Sequence, residues 1–313
     1  MNDVEATAYH QPVLLHETLE LLLTDLDGTY VDGTLGGGGH AEAILKSLST
    51  SGKLIGIDQD EDALQAAGKR LAQFGSRAHL HRSNFSRVKD VLSQSEIEKV
   101  TGVLLDLGVS SFQLNEASKG FSFRADAPLD MRMDRSQRLS AMDVVNEYST
   151  EQLADVLWKY GEERNSRRIA RTVEKVKMVK KIETTMDLAA IVEKAVGGKF
   201  LTKSLARVFQ AIRIEVNNEL KHLQRGLTES IDALKSGGRL VVISYHSLED
   251  RIVKDTFRKS SADSERATHA LLPDIKRTPN VTLLTRKPVE ATEEEIEGNR
   301  RARSAKLRAV EKL

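Results

Sequence analysis

The first third of the chain alternates apolar runs of helical spacing with shorter apolar runs of strand length. Helical spacing occurs at 14–23, 40–48 and 61–74, and the strand-like runs lie at 29–34, 52–58, 78–84 and 100–108. The last of these, VTGVLLDLG, is almost continuously apolar, as strands buried on both faces of a parallel sheet tend to be. This alternation predicts a doubly wound α/β domain.

The strand pattern then stops for about a hundred residues. Ser149 and Gln152 stand in capping-box spacing ahead of a helical pattern that continues to residue 176, and a second capped helix over 184–198 is stopped by glycine. Strand signals return in a strand–helix stretch at 236–257 and in two late strands. The pattern therefore predicts one discontinuous α/β domain with a helical insertion. The predicted bounds are 1–112 and 213–313 for the α/β domain and 113–212 for the insertion.

Composition narrows the class of protein. The 313 residues are 40% hydrophobic and 30% charged, carry a net charge of +1 and include no cysteine. Disulfides and thiolate chemistry are excluded, and a reducing cytoplasm is the expected location. The sequence has no apolar run of about 18 residues and no signal-peptide pattern at its start, so no membrane association is expected. Any nucleic-acid surface must be a local patch, because the overall charge is near zero.

Four glycines, Gly36 to Gly39, follow the first strand and lead into a helix. A helix that begins after such a turn offers free backbone N–H groups, which favour an anion. The G-x-G-x-x-A spacing leaves NAD open as a ligand. Asp58 ends the second strand, where an acid accepts the ribose hydroxyls of either NAD or S-adenosylmethionine. The alternative for Asp58 is a helix N-cap.

Other ligand patterns are weaker. No P-loop motif is present, and His79 and His81 would share a strand face without a third metal ligand nearby. No metal site is therefore expected.

Three motifs together, DGTLGGGGH (32–40), LLDLGVSS (104–111) and ISYHSLEDR (243–251), strongly resemble one family. Further matching stretches run from HQPVLLHE near the start to RARSAKLR near the end. The chain resembles the bacterial small-subunit ribosomal RNA cytosine-N4 methyltransferases, called RsmH or MraW. The resemblance implies a Rossmann-like class I methyltransferase sheet with an inserted helical domain, S-adenosylmethionine as cofactor, and methylation of a cytosine amine in the decoding region of 16S rRNA.

The resemblance also implies a set of cofactor-binding residues. They are the glycine-turn residues Gly38, Gly39 and His40, the ribose acid Asp58, the adenine neighbour Phe85, and Asp106 and Gln113 in and after the DLGVSSFQL motif. One difference separates the chain from the wider class of amino-methyltransferases, which often have an Asp/Asn-Pro-Pro-aromatic motif after the fourth strand. Here Asp106 is followed by Leu107 and Gly108, so the residue that stacks on the target base is left open.

Candidate catalytic residues lie at strand ends. Asp106 is expected to orient the amine, because ligands bind at the carboxyl ends of parallel strands. Tyr245 and His246 end a later strand, and either could stack on the base or hydrogen-bond to it. A tyrosine packed in the core is the alternative. Ser247, followed by Glu249 and Asp250, is interpreted as a helix cap.

A basic stripe is predicted on the insertion. Arg164, Arg168, Arg171 and Lys175 follow i, i+4, i+7, i+11 spacing. Ile169, Val173 and Val176 would face the opposite side and pack inward. The stripe is proposed to bind RNA phosphates, and the alternative is a solvated charged face.

Two other functions remain open from the sequence. One is an NAD-dependent oxidoreductase that uses the same glycine loop, and the other is a non-catalytic RNA-binding protein of ribosome assembly. The expected partner is 16S rRNA within the small subunit. A homodimer is left open, because the sequence does not fix the oligomeric state.

Overall fold

The computed structural model describes residues 12–108, 116–265 and 275–313. The chain forms two compact units. The first consists of Met1–Gly108 and Leu220–Leu313, and the second of Val109–Glu219.

The first unit is built on a seven-stranded sheet with the order β3-β2-β1-β4-β5-β9-β8. Its strands are β1 (Thr29–Asp32), β2 (Lys53–Asp58), β3 (Ala78–Arg82), β4 (Val100–Asp106), β5 (Leu234–Ser244), β8 (Val281–Leu283) and β9 (Lys306–Lys312). The first five strands run parallel, and β9 pairs antiparallel with both β5 and β8. The seven strands predicted from the apolar pattern are confirmed. A two-stranded ribbon, β6 (Ser264–Glu265) with β7 (Ile275–Lys276), lies apart from the sheet.

The helices of this unit cover both faces of the sheet. They are α1 (Leu15–Leu22), α2 (Gly39–Ser47), α3 (Glu61–Leu71), α4 (Val88–Gln94), α10 (Glu219–Ala233, which begins at the unit boundary), α11 (Ser247–Ser261) and α12 (Glu293–Gly298). Successive strand residues enter different cores. Val103 and Leu105 join one buried cluster, and Leu104 joins the other. This alternation is why β4 is continuously apolar, and it confirms the doubly wound α/β class.

The second unit is mainly helical over residues 141–219, whereas residues 116–140 form turns and loops with one short 3-10 helix, Ala117–Lys119. Its α-helices are α5 (Ala141–Glu147), α6 (Thr150–Gly161), α7 (Ser166–Lys177), α8 (Thr185–Val196) and α9 (Leu201–Asn217). The capping box of Ser149 with Gln152 forms as predicted. The single helix predicted over 149–176 is wrong, because Glu162 adopts a left-handed conformation (φ 49°) that ends α6 four residues before α7 begins.

The boundaries of this unit differ from the predicted 113–212. Residue 212 lies within α9, whose buried side chains, including Phe209, Ile212 and Val216, belong to the core of the helical unit. The helix ends at Asn218, which is also left-handed (φ 49°). The division falls at this turn because a continuous helix packed along its length stays with one core.

No helix among the described residues is long and apolar enough to cross a membrane.

Candidate active site at the carboxyl edge of the sheet

Three carboxyl side chains lie at the same edge of the sheet, at the ends of three adjacent strands. Asp58 ends β2, Asp32 ends β1 and Asp106 ends β4. The chain order reverses between β1 and β4, and this switch point is where open α/β sheets bind their ligands. The sheet topology therefore places Asp32 and Asp106 beside the crevice.

Asp58 connects the second strand to the glycine turn. Its Oδ2 accepts a hydrogen bond from the Gly36 N–H at 2.8 Å, and its Oδ1 accepts one from the Asp60 N–H at 2.9 Å. The helix N-cap of α3 is Asp60, so the interpretation of Asp58 as a cap is wrong. Burial raises the pKa of Asp58 to about 6. The Gln59 N–H also acts on this carboxylate, and the lone-pair capacity that its two oxygens keep can accept a ligand hydroxyl.

The glycine turn is shaped by backbone conformation and by close protein neighbours. Gly36 and Gly38 have φ of 50° and 78°, which favour glycine. A Cβ on Gly38 would lie 3.3 Å from the Ala67 Cβ, and one on Gly39 would lie 2.9 Å from the Pro12 Cγ. At Gly38 and Gly39, the space that a side chain would take is filled by other residues of the protein and not by a ligand.

Two N–H groups of the turn already have protein acceptors. Gly36 donates to Asp58, and Gly38 donates to the Leu35 carbonyl at 2.8 Å. A pyrophosphate needs such N–H groups free at the turn. This arrangement argues against the NAD alternative and favours a cofactor held through its ribose.

Asp32 is 1% exposed, and burial raises its pKa to about 7, with further increases from the charges of Asp106 and Asp58. Its Oδ1 accepts a hydrogen bond from the Thr34 N–H at 3.2 Å. The crevice therefore contains a carboxyl that is partly protonated near neutral pH, which moderates the repulsion among the three acids.

Asp106 is held by groups from three other segments. Its Oδ1 accepts a hydrogen bond from the Tyr245 hydroxyl at 2.7 Å, its backbone N–H donates to the Thr34 Oγ1 at 2.6 Å, and its Oδ2 lies 3.6 Å from the His40 Nδ1. The Asp106 side chain keeps 25% exposure, so a ligand can reach it. Burial raises the pKa of this carboxyl, whereas His40 and the Tyr245 hydrogen bond act in the opposite direction.

His40 is oriented by the chain before α1. Its Nε2 lies 3.1 Å from the Val13 carbonyl oxygen, which can only accept, so Nε2 carries a hydrogen. In the neutral ring, Nδ1 then presents a lone pair to Asp106. At 3.6 Å the His40 Nδ1 and the Asp106 Oδ2 are in electrostatic contact without forming a hydrogen bond.

The loop that carries Tyr245 is fixed by a buried acid that the sequence interpretation missed. Glu249 is 3% exposed and its Oε2 accepts the N–H groups of Tyr245 and His246 at 2.9 and 3.3 Å. His246 is the N-cap of α11, since its Nδ1 accepts the Glu249 N–H. Ser247 is the first helical residue, so its assignment as the cap is wrong. The spacing of His246 and Glu249 is that of a capping box, and this was the available signal.

The ring of Tyr245 lies against the turn that follows β4. Gly108 has φ of 102°, and a Cβ there would lie 3.3 Å from the Tyr245 Cδ2. Tyr245 therefore brings an aromatic ring beside Asp106 from a different strand. This supplies in space the aromatic group that the sequence lacks after Asp106. Burial and Asp106 hold the pKa of Tyr245 well above its usual value, so its hydroxyl remains a donor.

Phe85 is partly buried and faces α10. A Cβ on Gly226 would lie 2.5 Å from the Phe85 ring, and the ring packs on the apolar cluster beneath that helix. The packing supports a core role for one face of this ring, and its adenine contact remains a prediction. Gln113 lies outside the described residues.

Arg301 was given no role from the sequence. It lies in a short 3-10 helix, Arg300–Ser304, just before β9, and its guanidinium is half-buried. Burial lowers the pKa of Arg301, whereas the nearby Tyr245 and Asp106 raise it. Arg301 follows Tyr245 by more than fifty residues, so no local sequence pattern links it to the site.

The predicted basic stripe is partly wrong in its geometry. Arg168, Arg171 and Lys175 lie on α7 and are exposed, but Arg164 precedes the helix in the turn that Glu162 begins. Arg167, which was not predicted, joins the exposed face instead. Ile169 and Val173 are buried and Val176 is partly buried, as expected. In the described part of the chain, no ion pair is formed by any of the five cations, Arg164, Arg167, Arg168, Arg171 and Lys175. The nearby acid Glu174 pairs instead with Lys177 at 2.9 Å.

The sheet order and the acids at its switch point define a doubly wound, Rossmann-like α/β protein with its ligand crevice at the carboxyl edge of the sheet. The sequence model of the MraW methylase family matches residues 7–313, and the chain belongs to that family. S-adenosylmethionine is its methyl donor. Asp58 fits this cofactor, because its carboxylate lies at the end of β2 beside the glycine turn and can accept a hydrogen bond from a ribose hydroxyl.

Three similar proteins carry the same name. The chain is 50% identical over 312 residues to the ribosomal RNA small subunit methyltransferase H of Syntrophotalea carbinolica, covering 97% of this chain and 98% of that protein. It is 49% identical to the protein of that name from Carboxydothermus hydrogenoformans, covering 97% and 98%. The identity to the one from Clostridium botulinum is 47%, covering 97% and 99%.

Replacing Asp58 tests the ribose assignment. Asp58→Ala should weaken S-adenosylmethionine binding by roughly 1.5–3 kcal/mol for each charged hydrogen bond removed. Because the hydroxyls bind the ionised carboxylate, wild-type affinity should fall as the pH drops through about 6, the pKa of Asp58. Asp58→Asn, which cannot ionise, should lack that component. Calorimetry on both sides of this pH checks it, and an unchanged affinity in folded Asp58→Ala removes Asp58 from the ribose site.

Asp32→Asn should stabilise the cofactor-free protein. The folded state raises the pKa of Asp32 to about 7 from 3.8, so it binds more protons than the unfolded state between these values. The contribution of Asp32 to the free energy of unfolding is therefore lost as the pH rises from 3.8 through about 7. Asparagine keeps an acceptor for the Thr34 N–H without ionising. The gain in the free energy of unfolding should be on the order of 2 kcal/mol at about pH 8 and smaller at about pH 5. Urea unfolding measures it, and an equal gain at both pH values contradicts the assignment.

Proposed function

We propose that the protein transfers a methyl group from S-adenosylmethionine to the exocyclic N4 amine of a cytidine in the decoding region of 16S rRNA, within the small ribosomal subunit. The observation that carries the proposal is Asp106, a partly accessible carboxylate at the switch point of the sheet, held by Tyr245 and His40. The family and the names of its similar proteins support an rRNA substrate. Action on ribosomes supports a cytoplasmic location.

Asp106 is suited to orient the amine. The lone pair of a cytosine amine is delocalised into the ring, so methylation requires the nitrogen to be aligned with the methyl group. The cofactor supplies an electrophilic methyl group. Tyr245 occupies one lone pair of Asp106 Oδ1, and the remaining carboxylate lone pairs can accept an amine N–H. A carboxylate at this point also stabilises the positive charge that develops on nitrogen.

Asp106 gives the released proton an acceptor. The methylated amine is strongly acidic, so a carboxylate that is ionised before the transfer is a sufficient base. Nδ1 of His40 lies 3.6 Å from Oδ2 of Asp106, so we assign His40 a role in positioning this carboxylate, in addition to the cofactor-binding role that the resemblance implies for it.

Tyr245 and the basic face of the helical unit complete the proposal. The Tyr245 ring lies beside Asp106 and offers a surface for the target base. The exposed cations of α7, which are free of carboxylate partners in the described residues, are suited to phosphates. A base turned out of its stack could then reach the crevice.

Product analysis tests the function. Purified small subunits that lack the modification are incubated with the protein and S-adenosylmethionine bearing a labelled methyl group. The RNA is then digested and its nucleosides are separated by mass spectrometry. The expected product is N4-methylcytidine from a single site in the decoding region. Label on the cytosine C5, on a ribose or on another base overturns the N4 assignment. Absence of label with intact cofactor binding favours the non-catalytic assembly protein.

A further inference from the structure

We infer that Arg301 binds a backbone phosphate of the target nucleotide, at the edge of the site where Asp106 and Tyr245 lie. The guanidinium is half-buried and forms no hydrogen bond or ion pair with any residue that the structure describes. Its charge acts on the Tyr245 hydroxyl and on the Asp106 carboxylate. A partly dehydrated guanidinium without a partner favours an oxyanion, which its planar fork binds through two N–H groups.

The surrounding contacts hold the backbone of this short helix in place. Ala302 and Ala305, which follow Arg301 in and just after the short helix, are 1% and 2% exposed and belong to the apolar cluster on which Tyr245 packs. The Arg301 backbone N–H donates to the Asn299 Oδ1 at 3.3 Å. Arg303, in the same helix, is exposed. Packing therefore selects Arg301 over Arg303 for the site.

The order of the strands separates this oxyanion site from the cofactor ribose. Lys306 at the start of β9 pairs with Ser244 at the end of β5, so Arg301 reaches the same edge as the three acids. From β2, which carries Asp58, β9 is four strands away, about 19 Å at the usual strand spacing. From β4, which carries Asp106, it is two strands away, about 10 Å.

Two anions could bind to Arg301: a phosphate of the RNA or the carboxylate of the cofactor. The position beyond β5 favours the RNA, because it lies on the opposite side of Asp106 from Asp58. A nucleotide whose amine meets Asp106 brings its own phosphate into this region. The inference rests on the proposed function.

Four proteins test the inference: the wild type, Arg301→Gln, Arg301→Lys and the matched control Arg303→Gln. Arg301→Gln should leave S-adenosylmethionine affinity within about twofold by calorimetry. For small-subunit binding, the slope of log K against log salt concentration should be shallower by about 0.7–0.9, the value of one phosphate contact. Single-turnover methyl transfer at saturating subunit should slow by on the order of tenfold or more, since the nucleotide is positioned less well.

The other variants define the alternatives. Arg301→Lys should keep the salt slope but not the full rate, because an ammonium lacks the planar fork. Arg303→Gln should match the wild type in all three measurements. Weakened cofactor affinity with an unchanged salt slope assigns Arg301 to the cofactor carboxylate and overturns the inference. No change in folded Arg301→Gln also overturns it. The salt slope does not depend on which atom is methylated, so this outcome is separate from failure of the N4 assignment.

Discussion

Asp106→Ala is expected to lower the single-turnover rate of methyl transfer by on the order of 10²-fold or more. The Asp106 side chain accepts a hydrogen bond from the Tyr245 hydroxyl and faces His40. Its removal takes away both the proposed acceptor of the amine N–H and the proposed proton acceptor. Small-subunit affinity should change far less, because the proposed contact strengthens in the transition state. The rate is measured at saturating cofactor and subunit.

This prediction needs two controls. Cofactor affinity is determined separately for each variant, since the family resemblance also places Asp106 near the cofactor. Asp106→Asn is the isosteric control, because its amide oxygen can still accept from Tyr245 but its amide nitrogen cannot accept an N–H. It should be impaired nearly as much as Asp106→Ala. A rate close to wild type in either folded variant removes Asp106 from the mechanism.

The double substitution Arg168→Gln with Arg171→Gln is expected to weaken binding to the small subunit and to flatten its salt dependence. Both side chains are exposed on α7 and have no ion-pair partner among the described residues. Removing one cation that binds a phosphate should lower the salt slope by about 0.7–0.9, so removing both should lower it by about 1.4–1.8. Binding measured at several salt concentrations gives the slope.

A matched control separates a specific surface from a general reduction of charge. Lys194→Gln with Lys203→Gln removes the same number of charges from α8 and α9 of the same unit. This control should keep the wild-type slope, and both double variants should keep wild-type S-adenosylmethionine affinity. Equal slopes for the two double variants would mean that α7 presents only a solvated charged face.

The sequence by itself determined most helices and strands, and it identified the strand ends at which functional side chains are expected. Alternating and helical periodicity are local, so they located β1 to β5 and most helices without knowledge of the sheet. Asp58 and Asp106 were found for the same reason, since each ends an apolar run. The capping box of Ser149 also depends only on neighbours three residues apart. Motif resemblance then indicated the family, because long matching stretches run through the chain.

Only the tertiary structure decided which distant residues meet. Tyr245 is 139 residues from Asp106, and Arg301 lies farther still, yet both reach one sheet edge because β5 and β9 follow β4 in space. Strand order and packing depend on contacts between remote segments, to which local periodicity is insensitive. The same reason explains the errors. The break between α6 and α7 depends on one left-handed residue, Glu162, and the glycine turn is crowded by Pro12 and Ala67, which local patterns do not reveal.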